Sequence, residues 1–182
     1  MQRRMGRLAG CLLLGCCTVA GAAEPDLEKL QPDCSQLGPG WRPIQGIRLN
    51  DLRDLSRLPG VLRADAGKLV AQIQPLGIAA MGDYSCAQTS GAQNVATVRA
   101  FRFADTARAE AWWRQKYEYA GWQKHYARVE SADHPALDSL QINKRVVRRG
   151  PYWITAQQRG EGQAHLQLLA DVLARLGATP SR

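Results

Sequence analysis

Residues 94–122 constrain the fold of this chain more than any other stretch. Val95, Thr97, Arg99, Phe101 and Phe103 alternate with Ala96, Val98, Ala100 and Arg102, which is the period of a β-strand. Asp105 or Thr106 then supplies a helix N-cap. Ala109, Trp112, Trp113, Lys116, Tyr117 and Ala120 mark the helix that follows, with Gly121 as its stop. A strand joined tightly to a helix must bury both apolar faces against a sheet.

The segments that follow supply that sheet. Residues 122–129 read as a strand, 131–136 as a loop, and 140–148 as a further strand. Arg149, Gly150 and Pro151 make a turn, and residues 152–158 return as the next strand. A last helix over 163–176 carries Leu166, Leu169, Val172 or Leu173, and Leu176 on one stripe and stops at Gly177. Short connections favour antiparallel neighbours. The expected fold is α+β: an antiparallel sheet of about five to seven strands with two long helices packed on it, in a single domain.

The first half punctuates differently. Asn50 caps a brief helix in which Leu49, Leu52, Leu55 and Leu58 recur every three residues, and Pro59-Gly60 ends it. Residues 61–64 and 68–74, separated by Asp65-Ala66-Gly67, read as a hairpin at one sheet edge. Residues 75–93, with Pro75, Gly77, Gly82 and Gly91, read as a long connection.

Residues 1–23 have the form of a secretory signal: Arg3, Arg4 and Arg7, then an apolar run over 8–20, then small residues at 20–23. A run this short falls below the roughly 20 residues of a membrane span. The expected organisation is a signal at 1–23, a polar lead-in at 24–40, the domain at 41–178 and a frayed tail at 179–182. Cleavage near residue 23 leaves Cys34 and Cys86 of the five cysteines, and these can pair in an oxidising compartment. The alternative is processing at Cys16 as a lipoprotein, which leaves Cys17 as an odd thiol. The first route implies a bacterial periplasmic or secreted location, the second an outer-membrane lipoprotein.

Charge is uneven. Residues 24–98 hold 7 basic and 8 acidic side chains, whereas residues 99–182 hold 14 and 8. A cationic second half suits an anionic envelope component or an acidic protein partner. No nucleic-acid module pattern is present, which argues against that partner class. Trp112, Arg114, Lys116, Lys144, Arg145, Arg148, Arg149 and Tyr152 form the candidate binding surface.

Catalytic patterns are sparse. The three histidines, His125, His134 and His165, match no metal-ligand spacing, and no phosphate-cradling loop is present, so neither metal nor cofactor is expected. A non-enzymatic accessory or binding module is the leading expectation. The runner-up is a hydrolase using His125 or His134 with a carboxylate from 75–93.

Overall fold

The structure is a computed structural model, and it describes residues 27–44, 46–58, 60–89, 94–130 and 133–177. The signal, Cys16 and the 179–182 tail lie outside the described residues.

The fold is α+β. Seven antiparallel strands run in the order β1-β3-β4-β8-β7-β6-β5, and a two-residue β2 also pairs with β3. These are β1 Trp41–Ile44, β2 Arg48–Leu49, β3 Ile78–Gln88, β4 Val95–Phe103, β5 Tyr126–Arg128, β6 Ala136–Ser139, β7 Lys144–Arg149 and β8 Tyr152–Arg159. Three α-helices accompany them: α1 Gly60–Ile73, α2 Thr106–Tyr117 and α3 Ala164–Gly177.

Strand β4 is central, paired with β3 on one side and β8 on the other. On one face Ala96, Val98, Ala100, Ile154 and Ala156 pack with Leu168, Leu169 and Val172 of α3. On the other, Phe101 and Phe103 pack with Ala66, Val70 and Ile73 of α1 and Ala109 of α2. The Asp105 cap forms as expected, its carboxylate accepting from the Arg108 amide at 2.7 Å.

The expected 61–74 hairpin is instead the single helix α1. Ala66, Val70 and Ile73 are all buried, and their spacing of four and three is a helical stripe that outweighs the turn signal of Gly67. The described residues thus hold three α-helices where two long ones were expected. The long connection expected over 75–93 holds the eleven-residue strand β3. Its Gly82 is required by packing: a Cβ there would collide with the Tyr84 ring, so the glycine marks close approach within a strand rather than a loop.

Smaller boundaries also differ. The helix expected after Asn50 is reduced to a 3-10 turn at Leu55–Arg57, although Leu49, Leu52 and Leu58 are all buried. The strand expected over 122–129 divides into a 3-10 turn, Trp122–Lys124, and β5. The strand expected over 140–148 gives way to β6 and β7, separated by residues 140–143. In α3 Leu169 and Val172 of the expected stripe are buried and Leu173 and Leu176 pack beside them, while His165 and Leu168 are buried in addition and Leu166 is partly exposed.

Cys34 and Cys86 form the disulfide expected of them, spanning 52 residues of sequence. The lead-in is anchored more widely than at Cys34. Leu27 and Leu30, in a 3-10 turn, are 1% exposed within the core, and the Leu27 carbonyl accepts from the Tyr84 hydroxyl. The same turn packs against α3, β2 and β3.

Candidate functional site

The eight residues of the candidate binding surface fall into separate environments. Trp112 is half-buried in an aromatic stack, with ring centroids 4.1 Å from Trp153 and 5.9 Å from Phe103. Its neighbour Trp113 is 2% exposed, so adjacent tryptophans divide between core and flank as helical geometry demands. Tyr152 is buried on the opposite sheet face, and its hydroxyl has no hydrogen-bond partner among the described residues. Burial pushes its pKa up.

Three of the candidate arginines already have partners. Arg114 pairs with Glu110 one helical turn back at 2.6 Å. Arg145 makes a two-pronged contact to Asp138, at 2.6 and 2.7 Å, across the β6–β7 pair. Arg149 donates to the Leu173 carbonyl near the end of α3. Arg148 projects from the other sheet face at the β7–β8 tip, with its Nε buried and unpartnered among the described residues.

Lys144 and Lys116 remain. Register places Lys144 in a row with Gln157, Thr97 and Ser85, running across β7, β8, β4 and β3. The next row on the same face is Val146, Thr155, Arg99 and Asp83. Helices α1 and α2 cover this face farther along, over Phe101 and Trp153, and leave the polar rows partly open. Here the Ser85 and Thr97 hydroxyls lie 2.9 Å apart, and Arg99 holds Asp83 from Nε at 2.9 Å and from Nη2 at 2.5 Å.

Lys144 is half-buried, and no carboxylate pairs with it among the described residues. Its pKa is lowered, first by burial and then by the positive charges of Lys116 and Arg99. Lys116, exposed on α2, lies near enough for its charge to act on Lys144. Three cations therefore share a polar surface with a single acid already committed to Arg99. The sequence pointed to Lys116 and Lys144 but missed Arg99, Ser85 and Thr97, which pairing register alone brings beside them.

Two clefts flank the 133–135 segment. One, about 490 Å³, lies between the end of α2, the Trp122–Lys124 turn and the β5–β6 edge; the other, about 510 Å³, lies between the β7–β8 tip and the end of α3. His134 lines both, and its pKa is lowered by burial and by Arg149, against the opposing pull of Asp133.

Among the described residues neither His125 nor His134 is hydrogen-bonded to a carboxylate. The single carboxylate of 75–93, Asp83, lies on β3 and is bound by Arg99. The acid–base pair of the hydrolase reading is thus not assembled among the described residues. No group of three or more metal-ligating side chains gathers among the described residues, and no helix among them is long and apolar enough to cross a membrane.

The architecture is that of a small α+β domain also found outside the cell. Among solved structures, the chain is similar in fold to the extracellular domain of PknH from Mycobacterium tuberculosis. The TM-score is 0.52 at 10% identity, covering 85% of this chain and 96% of that one. No family model matches the chain, and no curated protein matches it.

Proposed function

We propose that this protein is an exported, non-catalytic binding module of the bacterial envelope that holds a phosphate-bearing partner on the open half of its sheet. The observation that carries this reading is the crowding of Lys144, Lys116 and Arg99 around polar rows of the β3–β4–β8–β7 face. Like charges brought together beside a partly desolvated lysine repel, and a multivalent anion relieves the repulsion while gaining charge-assisted hydrogen bonds. Hydroxyls of Ser85, Thr97 and Thr155 line the same rows and complement phosphate oxygens. The Cys34–Cys86 bridge and the likeness to an extracellular domain support a location outside the cytoplasm.

Lipid headgroups and soluble polymers both present phosphate, and two assays separate them. Cosedimentation with vesicles rich in phosphatidylglycerol tests the first, and titration with inorganic polyphosphate tests the second. Binding in either assay should weaken steeply with salt and fall at least about tenfold in the Lys116→Glu/Lys144→Glu double variant. Arg114→Glu, whose arginine is already paired with Glu110, serves as the matched control. Equal loss in that control, or no loss in the double variant, would reject the sheet face as the contact.

A further inference from the structure

The cleft beside α2 has a chemistry opposite to that of the sheet face. Its floor is aromatic, with Trp113 and Tyr117 buried at its base and Trp122 as a half-buried wall. Its rim carries three carboxylates, Glu118, Glu130 and Asp133, against one guanidinium, Arg128. In a chain with a formal net charge of +8, this is a local reversal of sign.

We infer that this cleft binds a small organic cation, with an alkylammonium group resting against the half-buried Trp122 wall beneath the carboxylate rim. The faces of tryptophan and tyrosine attract cations through their quadrupoles, most strongly where water is partly excluded. One cation already uses such a face: the Arg128 guanidinium lies 5.6 Å from the centroid of the Trp122 ring. Glu118 is held at the floor by the Trp113 indole, whose Nε1 donates to Oε1 at 3.1 Å. Glu130 and Asp133 are exposed, and each adds negative potential at the mouth.

The remaining titratable group agrees with this assignment. His134 has a lowered pKa, so at neutral pH it adds no positive charge to the rim. A volume of about 490 Å³ fits a small molecule rather than a polymer. An anion would meet three carboxylates there, whereas a cation gains from each of them. The site shares no residue with the Lys116, Lys144 and Arg99 surface, so either assignment can fail alone.

The test is a fluorescence and calorimetric titration of the purified protein with choline, with tetramethylammonium, and with 3,3-dimethylbutan-1-ol, the uncharged isostere of choline. Both cations should give a saturable change, and the alcohol should bind roughly tenfold more weakly or not at all. Trp122→Ala should abolish the response. Glu130→Gln/Asp133→Asn, which alters only exposed side chains, should weaken cation binding severalfold. Equal binding of the alcohol, saturable binding of glucose in place of the cations, no saturable binding of either cation, or an unchanged affinity in the Glu130→Gln/Asp133→Asn variant would each overturn the inference. The comparison of choline with its isostere uses the unmodified protein, so it decides the matter even where a variant folds poorly.

Discussion

Arg149 Nη1 donates to the carbonyl oxygen of Leu173 at 2.5 Å, tying the tip of the β7–β8 hairpin to the C-terminal part of α3. A cation is favoured at that helix end, where backbone carbonyls point outward. The same guanidinium passes so close to Gly177 that a Cβ there would meet its Nη2 at 2.7 Å. Arg149, chosen from the sequence as a binding residue, thus has a structural task. Arg149→Ala should lower unfolding stability by about 1–2 kcal/mol in denaturant titrations. Polyphosphate affinity should change less than in Lys144→Gln; the reverse ranking would show that Arg149 contacts the ligand directly.

The disulfide fastens the 3-10 turn Cys34–Leu37 to β3 near its C-terminal end. Closing a loop of this length contributes about 4 kcal/mol in the chain-entropy model. Cys34→Ala/Cys86→Ala should therefore lose about that much stability, read as a lower denaturant midpoint. A midpoint unchanged by either the double substitution or a reductant would show that Leu27 and Leu30 suffice to hold the segment.

His165 is 4% exposed, and its Nδ1 lies 3.3 Å from the Gln158 side-chain oxygen, which also accepts the His165 amide. Burial lowers its pKa, Arg145 adds to the effect and Asp138 opposes it. Folded, the imidazole therefore titrates below its ordinary 6.5, so the unfolded chain holds more protons in the window beneath that value. Stability from this group is complete above about pH 6.5 and is lost as pH falls through the folded pKa. His134 acts in the same direction. Denaturant midpoints measured from neutral to mildly acidic pH should decline, and the decline should be shallower in His165→Leu.

Asp83 is the one acid of the polar rows, with its carboxylate 15% exposed and bound to Arg99. Replacing it should act oppositely on stability and on binding. Asp83→Asn leaves a partly desolvated guanidinium without its counter-charge, which lowers the melting temperature. It also frees Arg99 for an incoming anion, so polyphosphate should bind severalfold more tightly. Weaker polyphosphate binding in a folded Asp83→Asn protein would place the ligand elsewhere.

The second half of the fold was more legible than the first, for a physical reason. The alternation in β4, the Asp105 cap and the Gly150 turn are local signals, and neighbouring residues suffice to set them. In the first half two glycines misled. Gly67 lies within α1, where a helical stripe overrides it, and Gly82 lies within β3, where the Tyr84 ring needs the space. What decides both is tertiary: Ala66, Val70 and Ile73 are buried with Phe101 and Phe103, and the Tyr84 ring is held beside Gly82 by its hydroxyl's bond to the Leu27 carbonyl. The same holds for the site: Lys144 and Arg99 are 45 positions apart in sequence, and only the pairing of β7 with β8 and of β8 with β4 sets them on one face. Composition locates the positive charge in the second half of the chain; the fold decides which of those charges meet a carboxylate.

Both margins of the sheet are blunt. At one side β1 has only four residues and includes Pro43, which has no amide hydrogen to offer; at the other, β5 has three. Among the described residues neither border therefore presents the long row of free amides and carbonyls that would let another chain extend the sheet by adding a strand. Crowding many copies together should therefore not by itself seed fibres along these borders.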